Sequence, residues 1–257
     1  MAGEGSDQQR RLRFEGAVSI GLLLVAWQVA SFFLPEYVIP GLELIAAEFV
    51  KMARAGTLIS DTALTFYRIV QGLIAGFAVG ALLGVVMGTL RKTESYLLPV
   101  VNLVMGIPAL SWTLIVILWF RTTETRILVL MLAISFPVFA HTVLDAIKGI
   151  SQELMQMTLV FRPTRLQILR KLILPSITPH VLTSWKVTTG FGVRVVIVAE
   201  LVGASTGVGF RMLEQQSLLN MSGVLAWTLV LVFTGLGMQF VLARLESRLL
   251  RWRPSAL

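Results

Sequence analysis

Three charged side chains, Lys186, Arg194 and Glu200, interrupt an otherwise apolar run between His180 and Gly203. On a helix, Arg194 and Glu200 lie about 120° apart and about 9 Å along the axis, while Lys186 and Glu200 share a stripe but are about 21 Å apart. None can pair within its own helix. An unpaired charge in lipid costs at least about 2.5 kcal/mol, so each needs water or a partner on another helix. A fixed positive charge at mid-depth, where Arg194 falls, lowers the barrier for an anion and raises it for a cation. Arg194 and Glu200 are therefore candidates to line a polar path, with Ser111 and Trp112 after Pro108 as further candidates. The bland alternatives are a backbone-bonded Arg194, a Glu200 that reaches water, and a Trp112 and His141 that only pack.

No catalytic chemistry accompanies these groups. The chain has no Gly-x-x-x-x-Gly-Lys-Ser/Thr phosphate loop and no His, Cys or carboxylate cluster with metal spacing. It has no cysteine, which excludes thiol chemistry.

The elements that must hold the charges are membrane spans. Of 257 residues, 56% are hydrophobic and only 14% charged, against roughly 25% charged in a soluble domain. Uncharged runs long enough to cross a bilayer cover residues 16–34, 69–90, 95–120, 127–144 and 215–243, and 180–203 makes a sixth with its three charges. The chain reads as an all-α, polytopic membrane helix bundle of six transmembrane helices. With both termini cytoplasmic, fourteen Lys and Arg between Arg10 and Arg253 fall inside, and only Lys51, Arg54, Arg121, Arg126 and Arg211 fall outside. The net charge of +8 is thus a topology signal, not a nucleic-acid footprint. The first run reads as an uncleaved helix because no small-residue cleavage site follows it.

Gly72, Gly76, Gly80, Gly84 and Gly88 recur every four residues through the second run. Small residues let helices approach backbone to backbone in lipid. The stripe marks a central, packed helix, either static or at a sliding interface. Between the first two runs, Leu42 to Ala53 is amphipathic and lies on the outer surface or packs on the bundle.

The loop 145–178 carries two short amphipathic stretches. Ser151 is placed to cap the first, with Glu153 in its first turn. Leu154, Met157 and Phe161 follow at helical spacing, then Arg162 and Pro163. Leu166, Leu169 and Ile173 oppose Arg165, Arg170 and Lys171, and Pro175 and Pro179 end the stretch. A short helix with one bare apolar face suits a partner's groove; the alternative is a helix lying among headgroups.

The run from Glu153 to Pro179 resembles the "EAA" loop of ABC importer permeases, most closely in Leu174-Pro175, Pro179 and the basic turn Arg165, Gln167, Arg170 and Lys171. Arg68, Ile107-Pro108, Leu118-Trp119-Phe120, Phe136-Pro137, Ala199-Glu200-Leu201, Gly203, Gly207-Val208-Gly209-Phe210 and Arg251-Trp252 resemble the nitrate/sulfonate/taurine branch. Departures are equally specific. Gln156, Met157 and Thr158 occupy the Glu-Ala-Ala positions, Arg162 and Pro163 replace Gly and Ala, and Arg121 stands where Gly follows Trp-Phe.

The resemblance implies the type I ABC importer permease fold in a bacterial inner membrane. It implies a second permease chain, identical or a sister subunit, a dimer of cytoplasmic ABC ATPases that binds ATP and Mg, and a periplasmic solute-binding protein. This chain would then hold no cofactor. It would pass a small anion such as a sulfonate, nitrate or carboxylate, with Glu153, Leu154, Met157, Phe161, Arg162 and Arg165 coupling it to the ATPase. On this reading residues 1–15 form a cytoplasmic tail, 16–61 the first helix and outer amphipathic helix, 62–247 the core, and 248–257 a second tail. The rivals are a secondary transporter, which needs paired acids at broken helices, and a non-transporting scaffold.

Overall fold

A computed structural model describes residues 4–250. Arg251, Trp252 and Arg253 lie outside the described residues, as does the side chain of Arg165. Every regular element among the described residues is a helix. Contacts divide the chain into two units, Met1–Ile59 with Arg211–Leu229, and Ser60–Phe210 with Val230–Leu257.

In the first unit, α1 (Glu4–Ser31) ends beside α2 (Leu42–Arg54). Trp27 Nε1 donates to Pro40 O at 3.0 Å, and the Leu42 amide donates to Gln28 Oε1 at 2.9 Å. Gln28 thus satisfies one amide that the first turn of α2 leaves free. Ile45 and Met52 are the buried side of α2. The apolar span of α1 has none of its residues buried.

The second unit is built on α3 (Thr57–Thr89), α6 (Thr123–Lys148) and α9 (Leu174–Gly203). The glycine stripe of α3 faces α6 along its whole length. Gly72 meets Met131, Gly76 meets Ser135, Gly80 meets Phe139, Gly84 meets Val143 and Gly88 meets Ile147. A Cβ on Gly84 would lie 2.7 Å from both Ala140 O and Val143 Cβ, so glycine is what permits this approach. Ile69, Leu73, Leu130, Met131 and Val196 form a buried core across the three helices. Phe77, Phe139 and Trp185 meet edge-on or tilted, with centroids 5.2–5.4 Å apart.

Two expectations change in this unit. The single span 95–120 is two helices, α4 (Arg91–Gly106) and α5 (Ala109–Trp119), bent by 95°. Pro108 lacks an N–H, and a residue before proline is pushed out of the helical region; Ile107 sits at φ −78°, ψ 124°. Pro175 and Pro179 do not end a helix before the fifth span. Pro175 lies in the first turn of α9, where a missing amide matters least, and Pro179 sits inside the helix, which continues through it. Among the described residues, four helices are long and apolar enough to cross a membrane, or six if each bent pair counts as one span.

The segment between α6 and α9 holds α7 (Gln152–Val160) and α8 (Arg165–Ile168), the latter running into a π turn at Leu169–Ile173. Ser151 Oγ accepts from the Leu154 amide at 3.3 Å, a capping contact at the start of α7. Arg162, between α7 and α8, is left-handed at φ 48°. That conformation is one glycine adopts without cost. After α9 come α10 (Val208–Ser217) and α11 (Met221–Leu249).

Candidate translocation site

The break between α4 and α5 opens a cavity of about 370 Å³. Its wall is Val104, Met105, Ile107, Pro108 and Ala109 from the break, Met131, Ile134, Ser135 and Val138 from α6, and Thr188, Phe191, Gly192 and Val195 from α9. A volume of this size holds a small solute. The wall is mostly aliphatic and aromatic, with Ser135 and Thr188 as its polar members.

The candidate path residues divide. Arg194 is exposed and has no hydrogen-bond or ion-pair partner among the described residues. It is not part of the cavity wall, but lies one turn from Phe191, which is. Ser111 is exposed and outside the wall; Trp112 is half-buried, packs on the core and directs Nε1 to Val104 O at 3.4 Å.

Glu200 is placed elsewhere, which corrects the expectation that it lines the path. It is fully buried, with Arg68 Nη1 at 2.6 Å from Oε1. Thr65 Oγ1 donates to it at 2.9 Å, and the Gly209 amide donates to Oε2 at 2.8 Å. Arg68 also reaches Thr206 O at 2.8 Å and Glu124 Oε1 at 2.5 Å. The Gly207 amide donates to Asp61 Oδ1 and the Val208 amide to Thr65 Oγ1, both at 2.9 Å. Three successive amides entering α10 are thereby held by α3 and α9. Glycine is required at 207, because φ is +107° and a Cβ would lie 2.7 Å from Arg68 Nη1. With its acceptors so occupied, Glu200 is a tie between helices.

Sequence reasoning singled out Glu200 without finding Asp61, Thr65 or Glu124 as its surroundings. A signal existed: Asp61, Thr65 and Arg68 recur at i, i+4 and i+7, one polar face leading into the glycine stripe. Lys186 pairs with Glu246 of α11, and His141 Nε2 meets Asn102 Oδ1 at 2.7 Å.

In the segment between α6 and α9, Glu153 and Arg162 are exposed. Leu154, Met157 and Phe161 are 51%, 64% and 84% exposed. They present an apolar surface that no described residue covers.

Residues 72–251 match the family profile described as binding-protein-dependent transport system inner membrane component. The chain is 30% identical over 240 residues to the taurine transport system permease protein TauC of Escherichia coli, covering 90% of this chain and 86% of the relative. It is 28% identical over 244 residues to the aliphatic sulfonates transport permease protein SsuC of Bacillus subtilis, covering 94% and 88%. Among solved structures, an inward-facing MetNI methionine ABC transporter chain aligns with TM-score 0.64 and 19% identity, covering 77% of this chain and 97% of that one. A chain of an amino acid ABC transporter aligns with TM-score 0.65 and 13% identity, covering 78% and 97%. These two likenesses concern the fold.

Proposed function

Because the chain belongs to the binding-protein-dependent transport system inner membrane component family, and so is a multi-pass ABC importer permease, we propose that it forms half of a translocation path for a small organic or inorganic anion. A second permease chain supplies the other half. A solute-binding protein delivers the anion, and ATP hydrolysis occurs in a separate ATPase dimer. Both termini lie in the cytoplasm, as the basic residues favour.

The observation that carries this reading is the cavity at the broken span, with the cation of Arg194, which has no partner among the described residues, one turn from its wall. The similarity to permeases named for taurine and aliphatic sulfonates supports an anionic solute. The bare face of Leu154, Met157 and Phe161 supports docking of the ATPase through α7, although Gln156, Met157 and Thr158 replace the usual Glu-Ala-Ala. ATP closes the ATPase dimer, α7 carries that motion into the bundle, and the cavity then receives solute from the outer side.

The test is uptake in vesicles holding this chain, its ATPase and its binding protein. Uptake of a radiolabelled sulfonate or nitrate that requires ATP supports the reading. Uptake that persists without the ATPase and follows an ion gradient overturns it. A reporter fused after Leu257 that is reached from the periplasm overturns the orientation alone.

A further inference from the structure

Asn102 and His141 are polar residues within apolar helices, and the transport reading above gives them no role. Asn102 is exposed and His141 half-buried. Their hydrogen bond joins α4 to α6 at 2.7 Å. On α4, Asn102 lies one turn before Met105; on α6, His141 lies one turn after Val138. Met105 and Val138 both line the cavity. The pair therefore continues the cavity's two walls toward the Lys148–Glu94 ion pair that closes the same helices further along.

We propose that Asn102 and His141 form the polar end of a solute site whose apolar body is the cavity at the broken span. The proposal rests on the transport reading and deepens it. The Asn102 carbonyl oxygen can only accept, so His141 Nε2 is the donor in their bond. That leaves both Asn102 amide hydrogens and the second ring nitrogen of His141 without another partner among the described residues. Polar groups at this depth are tolerated where they face protein or water, not lipid. The free Asn102 donors suit an oxygen-rich head. The wall of Val104, Met105, Ile134, Val138, Phe191 and Val195 suits a short hydrocarbon body. The class of solute is thus a small organic anion with an apolar tail. A hydrated inorganic anion gains nothing from such a wall.

The chain has no cysteine, so single cysteines can be introduced without removing others. Val138→Cys and Met105→Cys, one on each wall of the cavity, are compared with Leu23→Cys, which lies on the uncovered apolar span of α1. Each is made in the complete transporter, in membrane vesicles, and treated with the small anionic reagent methanethiosulfonate ethylsulfonate. A thiol facing a wet path can ionise and is reached by the charged reagent, so it reacts faster than one facing lipid. Butanesulfonate slows labelling of Val138→Cys and Met105→Cys several-fold, nitrate at the same concentration does not, and adding Asn102→Leu to Met105→Cys removes the protection. Labelling at both sites as slow as at Leu23→Cys overturns the proposal. So does rapid labelling that butanesulfonate leaves unchanged, or that nitrate slows equally. ATP-driven uptake by the cysteine-free parent is measured in parallel. If it is present while protection fails, the site is wrong and the transport reading stands; if it is absent, the transport reading itself has failed.

Discussion

Arg68 Nη1 lies 2.6 Å from Glu200 Oε1, and the two side chains are 1% and 0% exposed. They stand 132 positions apart, on α3 and α9. A buried pair of this kind is costly to halve, because the remaining ion stays in the interior without the opposite charge that offsets its desolvation there. Here Glu200 also holds the Gly209 amide, so the pair fixes how the chain leaves α9 and enters α10.

Glu200→Ala is expected to destabilise the purified protein by roughly 3–5 kcal/mol. Arg68→Gln combined with Glu200→Gln should cost less than the two single variants added together, because the double variant leaves neither of the two buried ions behind. Thermal unfolding in detergent measures both. Additive losses would show that the two residues act independently.

Gly84→Leu should prevent α3 from seating on α6, since even a Cβ would lie 2.7 Å from Ala140 O. Overpacking of this kind costs about 1–3 kcal/mol or more. Gly106→Ala, where a Cβ meets nothing within 4 Å, is the control. Yield and melting temperature in detergent should fall for the first variant and hold for the second.

Leu154→Asp with Phe161→Asp should leave folding almost unchanged, because both residues are exposed. The same change should abolish co-purification of the ATPase or its stimulation by loaded binding protein. Unchanged stimulation would remove α7 from the coupling surface.

Arg194→Lys should retain much of the transport rate for an anion, and Arg194→Gln should lose it, with assembly and basal ATP hydrolysis preserved in both. The exposed side chain, which has no partner among the described residues, motivates this expectation. Reconstituted vesicles with the intact binding protein give the readout, and equal rates for the two variants would sink it.

Arg162→Gly should stabilise the turn between α7 and α8 by about 1 kcal/mol, since a left-handed residue with a Cβ costs about that much. Slower amide exchange in this segment is the measurement. Unaltered or faster exchange would show that the Arg162 side chain compensates for its backbone.

The sequence by itself determined whatever depends on one helix at a time. Charge-free runs bounded by Arg68, Arg91, Glu94 and Arg121 locate apolar segments, because charge is expelled from hydrocarbon. The four-residue glycine period shows that α3 has a close neighbour, and Ser151 marks the start of α7. Spacing along one helix does not say which helix lies opposite. Only the tertiary structure decided that the stripe faces α6, that Glu200 finds Arg68, and that Asn102 finds His141. It also decided what each proline does. Pro99, Pro137 and Pro179 sit inside continuous helices, whereas the chain breaks by 95° at Ile107–Pro108. A proline removes the same amide everywhere, and the helix continues only where neighbouring groups and packing absorb the loss.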